Sequence, residues 1–263
     1  MTAGAGAAAV PTIDILRLRL ARITSPELVE VVAGAIRKHR GGWIVTANVD
    51  HLLRHCSNAE VAALNEQADL IVADGMPLVW AAWLQGTPLP GRVAGSDLVW
   101  TLAELAARQG FSLYLLGGAA GAAEGAAQRF RARWPELHLA GCSSPTLSEV
   151  PTAEQLASVR EALAEAKPDI VYVALGSPKQ ERVIAALRQF LPATWWIGVG
   201  ISLGFVAGRP QRAPRWVQRI GLEWFHRLLQ EPRRLSRRYL LEDLPFTLRL
   251  LMRAWRMRRT TLR

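Results

Sequence analysis

Trp43-Ile44-Val45 running into Thr46-Ala47-Asn48-Val49-Asp50-His51, and Leu70-Ile71-Val72-Ala73 running into Asp74-Gly75, decide the fold of this chain. Each is a short apolar run rich in β-branched residues that stops at a small polar cluster. That is the pattern of a parallel strand buried on both faces. In an open α/β sheet, ligands bind in the crevice beyond the carboxyl ends of the strands. Thr46, Asn48 and Asp74 would then meet in one crevice, a carboxylate among neutral hydrogen-bonding groups. A carboxyl group in a partly dry cleft can hold a raised pKa and act as a general base. An Asp-Gly pair after a strand is also an ordinary turn, and spacing alone leaves both readings of Asp74 open.

The same beat continues on either side. Residues 13–23 alternate, with Leu16, Leu18 and Leu20 set against Arg17 and Arg19, and read as one strand with a wet face. Thr24-Ser25-Pro26-Glu27 is a helix start, either through Ser25 before Pro26 or through a Thr24/Glu27 capping box. That helix should run to about residue 40, where Gly41-Gly42 stops it. Further helices are expected over 58–68, 77–84 and 97–108, the last capped by Ser96 after a Pro/Gly-rich loop that carries Arg92. Strands over 111–116, 137–140, 169–175 and 195–199 alternate with helices over 120–134, 152–166 and 179–190. Such alternation with short loops predicts an α/β fold, a Rossmann-like, mostly parallel sheet flanked by helices. After residue 208 the character changes to three helices, over 212–229, 232–241 and 245–259, with Pro232 and Pro245 in first turns. The chain thus divides into a Rossmann-like core, residues 1–208, and a helical, Arg-rich C-terminal appendage, residues 209–263.

Half of the 263 residues are hydrophobic, which excludes a disordered chain. Cys56 and Cys142 give neither a disulfide framework nor metal-ligand spacing and fit a reducing compartment. Residues 1–11 are Ala/Gly-rich and lack the basic start and apolar core of a signal peptide, so they read as a disordered lead-in. The net charge of +10 is concentrated: residues 209–263 hold 15 arginines and four acids, whereas the rest holds 17 basic and 18 acidic residues. Such asymmetry points to an anionic partner. The uncharged run over 189–208 approaches the length of a membrane-spanning helix. Pro192 and glycines at 198, 200, 204 and 208 make it a buried strand entering a Gly-rich turn instead.

In the last segment Arg249, Arg253 and Arg256 share one stripe and Leu248, Leu251 and Trp255 another, the pattern of a helix lying on an anionic membrane surface. Away from lipid, those apolar stripes would call for self-association into a homo-oligomer. A nucleic-acid partner would explain the charge but not Asp74 or the strand-end motifs. No lysine follows Lys179, and Trp216, Trp224 and Trp255 lie among apolar positions rather than along a groove. Gly117-Gly118 follows a strand and precedes a helix, where backbone N–H groups can hold a phosphate. Tight strand-on-helix packing explains the pair equally well. Gly176-Ser177-Pro178-Lys179-Gln180-Glu181 places three polar side chains at a helix start on the ligand side of the sheet. No Asp-x-Asp and no His/Cys/carboxylate cluster of metal spacing occurs, so phosphate charge would fall to arginines, whose donor fork suits it.

Thr46-x-Asn48, Asp74-Gly75, Arg92-Val-x-Gly95-Ser-Asp97, Gly176-x-Pro178-x-Gln180-Glu181, Gly198-Val-Gly200, Arg212-Ala-Pro214 and Gly221-Leu-Glu-Trp224-x-x-Arg227-Leu-x-x-Glu231-Pro232-x-Arg234 together resemble the WecG/TagA/CpsF glycosyltransferases, family 26. The resemblance covers residues 13–241, and the ordered set of motifs makes it specific. It implies a metal-independent, inverting enzyme, peripheral on the cytoplasmic face of the plasma membrane and without a cofactor. Such an enzyme passes a sugar from a UDP-sugar to a saccharide on a polyprenyl diphosphate, in teichoic-acid, common-antigen or exopolysaccharide synthesis. N-acetylmannosamine, its uronic acid and glucuronic acid all fit the donor. By the resemblance Asp74 is the base, and Thr46, Asn48, Arg92 and Gln180 line the donor and acceptor pocket. Arg227, Arg234 and Arg237 reach the diphosphate, and the tail closes over the site at the membrane. Leu203-Gly204 departs from the family's Phe-Asp, and the loss leaves an inactive assembly scaffold as the alternative reading.

Overall fold

In the computed structural model, residues 10–219 and 221–261 are described, apart from the side chains at 219, 234, 260 and 261; most of the lead-in expected over 1–11 lies outside them. The strands are β1 (Thr12–Ile15), β2 (Leu18–Ala21), β3 (Gly42–Ala47), β4 (Leu70–Ala73), β5 (Ser112–Gly117), β6 (His138–Ser143), β7 (Ile170–Ala174) and β8 (Trp195–Gly198). The last six form one parallel sheet in the order β4-β3-β8-β7-β5-β6. Both faces of the inner strands are covered, which is why they read as continuous apolar runs; the edge strand β6 is only partly buried. Alternate residues serve opposite layers: Ile44 and Val72 pack into one core, Trp43, Val45 and Ala47 into the other. The first layer holds α1 (Ser25–Ile36), α5 (Gly95–Gln109), α6 (Ala122–Arg133) and α9 (Ser202–Ala207). The second holds the β1–β2 hairpin with α2 (Val49–Ser57), α3 (Ala59–Glu66), α4 (Met76–Leu84), α7 (Ala153–Ala166) and α8 (Lys179–Leu187).

The helix starts follow local chemistry. Thr24 and Glu27 close a capping box on α1, as Thr152 and Gln155 do on α7. Several expectations are corrected. Residues 13–23 are a hairpin rather than one strand, because Leu16 and Arg17 both take positive φ (50° and 70°) in a two-residue turn. No glycine or asparagine announces that turn. The segment after Asn48 is helix α2, and Ser96 lies inside α5, whose first turn has no side-chain cap.

Residues 212–229 form two short helices, α10 (Arg215–Arg219) and α11 (Glu223–Gln230), with Gly221 at φ 77° between them. Beyond, α12 (Pro232–Ser236), a π turn (Arg237–Asp243) and α13 (Leu244–Thr261) follow without a break. The Leu244 N–H reaches Tyr239 O in the wider π pattern just where Pro245 can donate no bond. Helix α13 packs on α4 and α2, with Leu250 and Ala254 buried in the second core and Leu251 turned partly toward it. Leu244, Leu248, Met252 and Trp255 form the outward stripe. No helix among the described residues is long and apolar enough to cross a membrane.

Candidate active site

Chain topology places the crevice. After β3 the chain enters α2 in one helical layer; after the adjacent β8 it enters α9 in the other. Such a divergence leaves a crevice at the carboxyl ends of the two strands. Thr46 ties those ends together, its Oγ1 donating to Gly198 O at 2.9 Å. Gln180, from the first turn of α8, lies across them. Its Oε1 accepts the Gly200 N–H at 3.2 Å, and a Cβ at position 198 would stand 2.8 Å from its Nε2, so Gly198 leaves room for the amide. Asn48 caps α2, its Oδ1 accepting the His51 N–H at 3.0 Å. Gly75 packs on the same residue, a Cβ there falling 3.6 Å from Asn48 Cα.

Asp74 sits at the end of β4 with its N–H on Ala47 O at 2.8 Å. Burial pushes its carboxyl up to about 7, against Arg92 and the Gly95 N–H, which pull the other way. Glu223 adds to the rise and Arg212 opposes it. The residue itself is half-buried, so protein crowds the carboxyl while a path to solvent remains. Beside it lies a closed ring of alternating charge. Arg92 Nη1 donates to Glu223 Oε2 at 3.1 Å, and Arg212 Nε donates to Glu223 Oε1 at 3.1 Å. Arg212 Nη1 reaches Asp97 Oδ1 at 2.6 Å, and Asp97 Oδ2 stands 3.9 Å from Arg92 Nη2. Two cations and two anions cancel, which leaves burial to dominate at Asp74.

Glu223, Asp97 and Arg212 were not among the expected site residues. Asp97, Arg212 and Glu223 each stand in one of the motifs that carry the family resemblance, and Glu223 is one of only four acids in the basic stretch 209–263, but neither signal assigns them to the site. The loop bearing Arg92 is fastened by the Val93 N–H on Ala73 O at 2.9 Å.

Gly117 and Gly118 lie on the same edge of the sheet but at the end of β5, three strands beyond β3 in the direction away from β4, about 19 Å from Asp74 at about 4.8 Å per strand. Their φ values of 90° and 99° need glycine, and Cβ atoms would fall 2.7 Å from Leu175 Cδ2 and 2.9 Å from Ala122 Cβ. The Gly118 N–H is spent on Ala174 O at 2.8 Å. Packing therefore accounts for this pair, and Gly118 has no free N–H for a phosphate. Arg227 is half-buried over the Phe205 ring at 5.8 Å, and its Nε is buried without a hydrogen-bond partner among the described residues. Arg237 is 85% exposed, 3.8 Å from Glu242. The Arg234 side chain lies outside the described residues. Among the described residues no three His, Cys, Asp or Glu side chains converge as metal ligands.

The model of the glycosyl transferase WecG/TagA/CpsF family matches residues 13–260, on a chain whose parallel sheet, crevice and strand-end motifs are those just described. The chain belongs to the WecG/TagA/CpsF glycosyltransferase family. It is 32% identical over 200 residues, 76% of each chain, to the N-acetylglucosaminyldiphosphoundecaprenol N-acetyl-beta-D-mannosaminyltransferase of Bacillus spizizenii. It is 29% identical over 197 residues, 75% of each chain, to the protein of the same name from Bacillus subtilis.

In this glycosyltransferase the departure at Gly204 has a steric counterpart. A Cβ there would stand 2.7 Å from Arg209 O, so any side chain must displace the backbone that leads into the C-terminal segment. Leu203 beside it is fully buried in the first core.

Proposed function

We propose that this glycosyltransferase moves N-acetylmannosamine from a UDP-sugar to a saccharide on a polyprenyl diphosphate, by one inverting displacement and without a metal ion. The donor sugar and acceptor class follow the names of its two Bacillus relatives. The observation that carries the mechanism is Asp74, a carboxyl held at about 7 at the foot of the crevice. At neutral pH about half of such groups are deprotonated, the best compromise between availability and basicity. Asp74 takes the proton of the acceptor hydroxyl as its oxygen attacks the anomeric carbon. The bond from that carbon to the diphosphate breaks, and the nucleoside diphosphate leaves with the electron pair. Thr46, Asn48 and Gln180 orient the reacting sugars, and Arg92 together with the tail arginines 227, 234 and 237 stabilises the departing charge. Arginine forks supply what a divalent cation supplies elsewhere.

The segment 209–263 is the membrane-associating part in this reading. Its outward stripe (Leu244, Leu248, Met252, Trp255) is flanked by Arg249, Arg253 and Arg256, and Leu241, Leu229 and Trp216 of the same segment are exposed as well. Such a face buries apolar side chains among headgroups, and each nearby cation adds about 1 kcal/mol on an anionic leaflet. Docking there brings the enzyme to its lipid-borne acceptor, on the cytoplasmic side where nucleotide sugars are made.

The test is UDP release from a panel of UDP-sugars with a polyprenyl-diphosphate-linked acceptor in chelator. Acceptor-dependent turnover with one donor, lowered roughly 10²–10⁴-fold by Asp74→Asn, is the expected result. Turnover unchanged in Asp74→Asn would refute the base assignment, and turnover that requires added metal would refute the leaving-group account.

A further inference from the structure

We infer that Glu181 is a positioning residue: a buried carboxyl group, backed by His51, that sets which way the Gln180 amide faces in the crevice. The inference rests on the proposed role of Gln180 at the site. Glu181 is 1% exposed on the first turn of α8. Its Oε1 accepts from Gln180 Nε2 at 2.9 Å, while Gln180 Oε1 accepts the Gly200 N–H. A glutamine amide has a donor end and an acceptor end and can turn either one to a ligand. An accepting oxygen on one side and an N–H on the other leave it a single orientation.

Behind Glu181 the polarity of the network is also determined. Asn65 Nδ2 lies 3.1 Å from His55 Nδ1, and Asn65 Oδ1 lies 2.8 Å from His51 Nε2. Since Oδ1 only accepts, the His51 proton sits on Nε2. That leaves His51 Nδ1 facing Glu181 Oε1 at 3.9 Å. The buried His51 ring thus stands against the carboxyl group.

Apolar side chains could fill the same space at lower cost, for both residues are buried and Glu181 Oε2 has no partner among the described residues. Packing therefore does not explain why a carboxyl group stands there, whereas orienting Gln180 does. The backbone N–H of His51 also caps onto Asn48 Oδ1, so one residue supports two groups of the crevice.

A double-mutant cycle tests this in the full-length enzyme, reading kcat/KM for sugar transfer and Tm together. Q180A, E181Q, the double variant, and H51F alone and with Q180A are compared with the parent. E181Q keeps the shape but offers Gln180 a donor as readily as an acceptor. It should lose roughly tenfold in kcat/KM, and H51F should shift it in the same direction. Neither should lower kcat/KM further once Gln180 is alanine. Losses that multiply in the double variants, or that follow Tm alone, overturn the positioning role while leaving Gln180 at the site. Parental activity in Q180A overturns the site assignment of Gln180 itself. Should E181Q fail to fold, the H51F pair decides by the same criterion.

Discussion

Replacing Asp74 by asparagine should inactivate the enzyme and stabilise it at the same time. The native carboxyl holds its proton to about 7, whereas an ordinary aspartate in the unfolded chain releases it near 3.8. Between those values the native state binds more protons than the unfolded state, so stability falls as pH rises. Above about 7 the whole penalty is in place. At about 1.4 kcal/mol per unit of pKa, the ceiling is about 4 kcal/mol. Asp74 keeps a path to solvent, and the effective dielectric around such a group is well above that of dry protein, so we expect about 1–3 kcal/mol. In a chain of this length that is roughly 2–10 °C in Tm. Asparagine does not titrate, and its carbonyl still accepts the Gly95 N–H. Tm is measured from pH 4 to 9 at constant ionic strength. The two proteins should converge near pH 4 and separate through pH 5–8, with Asp74→Asn the more stable. A variant less stable than the parent at pH 8, or a difference independent of pH, would refute the argument that burial governs this carboxyl.

Three further outcomes follow from the same geometry. Glu223→Gln removes an anion that raises Asp74 and leaves Arg92 and Arg212 in place, so the acid limb of the pH profile of kcat/KM should move below 7; a move upward would contradict the charge ring. Gly204→Asp, the residue that the family resemblance leads one to expect there, should lower Tm by several degrees rather than improve activity, because its Cβ meets Arg209 O; a stable, more active variant would show that the 209–210 backbone yields easily. Leu248→Glu with Met252→Glu and Trp255→Glu should abolish flotation with anionic vesicles and leave Tm within about 2 °C, since all three side chains point outward; unchanged flotation would locate membrane binding elsewhere.

Much of the chain could be read without its structure wherever the signal is local. The strands β3, β4, β5, β7 and β8 announce themselves as apolar runs, and Thr24/Glu27 announces a helix start, because backbone preference and capping act within a few residues. The placement of Asp74, Thr46 and Gln180 at one end of the sheet was legible too: Asp74 directly follows β4, Thr46 stands near the carboxyl end of β3 and Gln180 lies in the first turn of α8. The hairpin at Leu16-Arg17 was not, since its positive φ values fall on residues that carry no turn signal and tertiary packing imposes them. Nor was the helix that runs through Pro245, which depends on a π turn accommodating the missing N–H.

Strand order belongs to the tertiary structure alone: β8 enters between β3 and β7, and only that insertion brings Gly198 against Thr46 and creates the crevice. The protonation of Asp74 is likewise a tertiary property. An aspartate's sequence neighbours cannot raise it to about 7; burial does so, beside an Arg92 neutralised by Glu223 from 131 residues away. The amino-acid sequence determines which local elements can form and which chemical groups stand at their ends. Desolvation and charge pairing are sums over everything nearby in space, and what is nearby is settled only when the chain has folded.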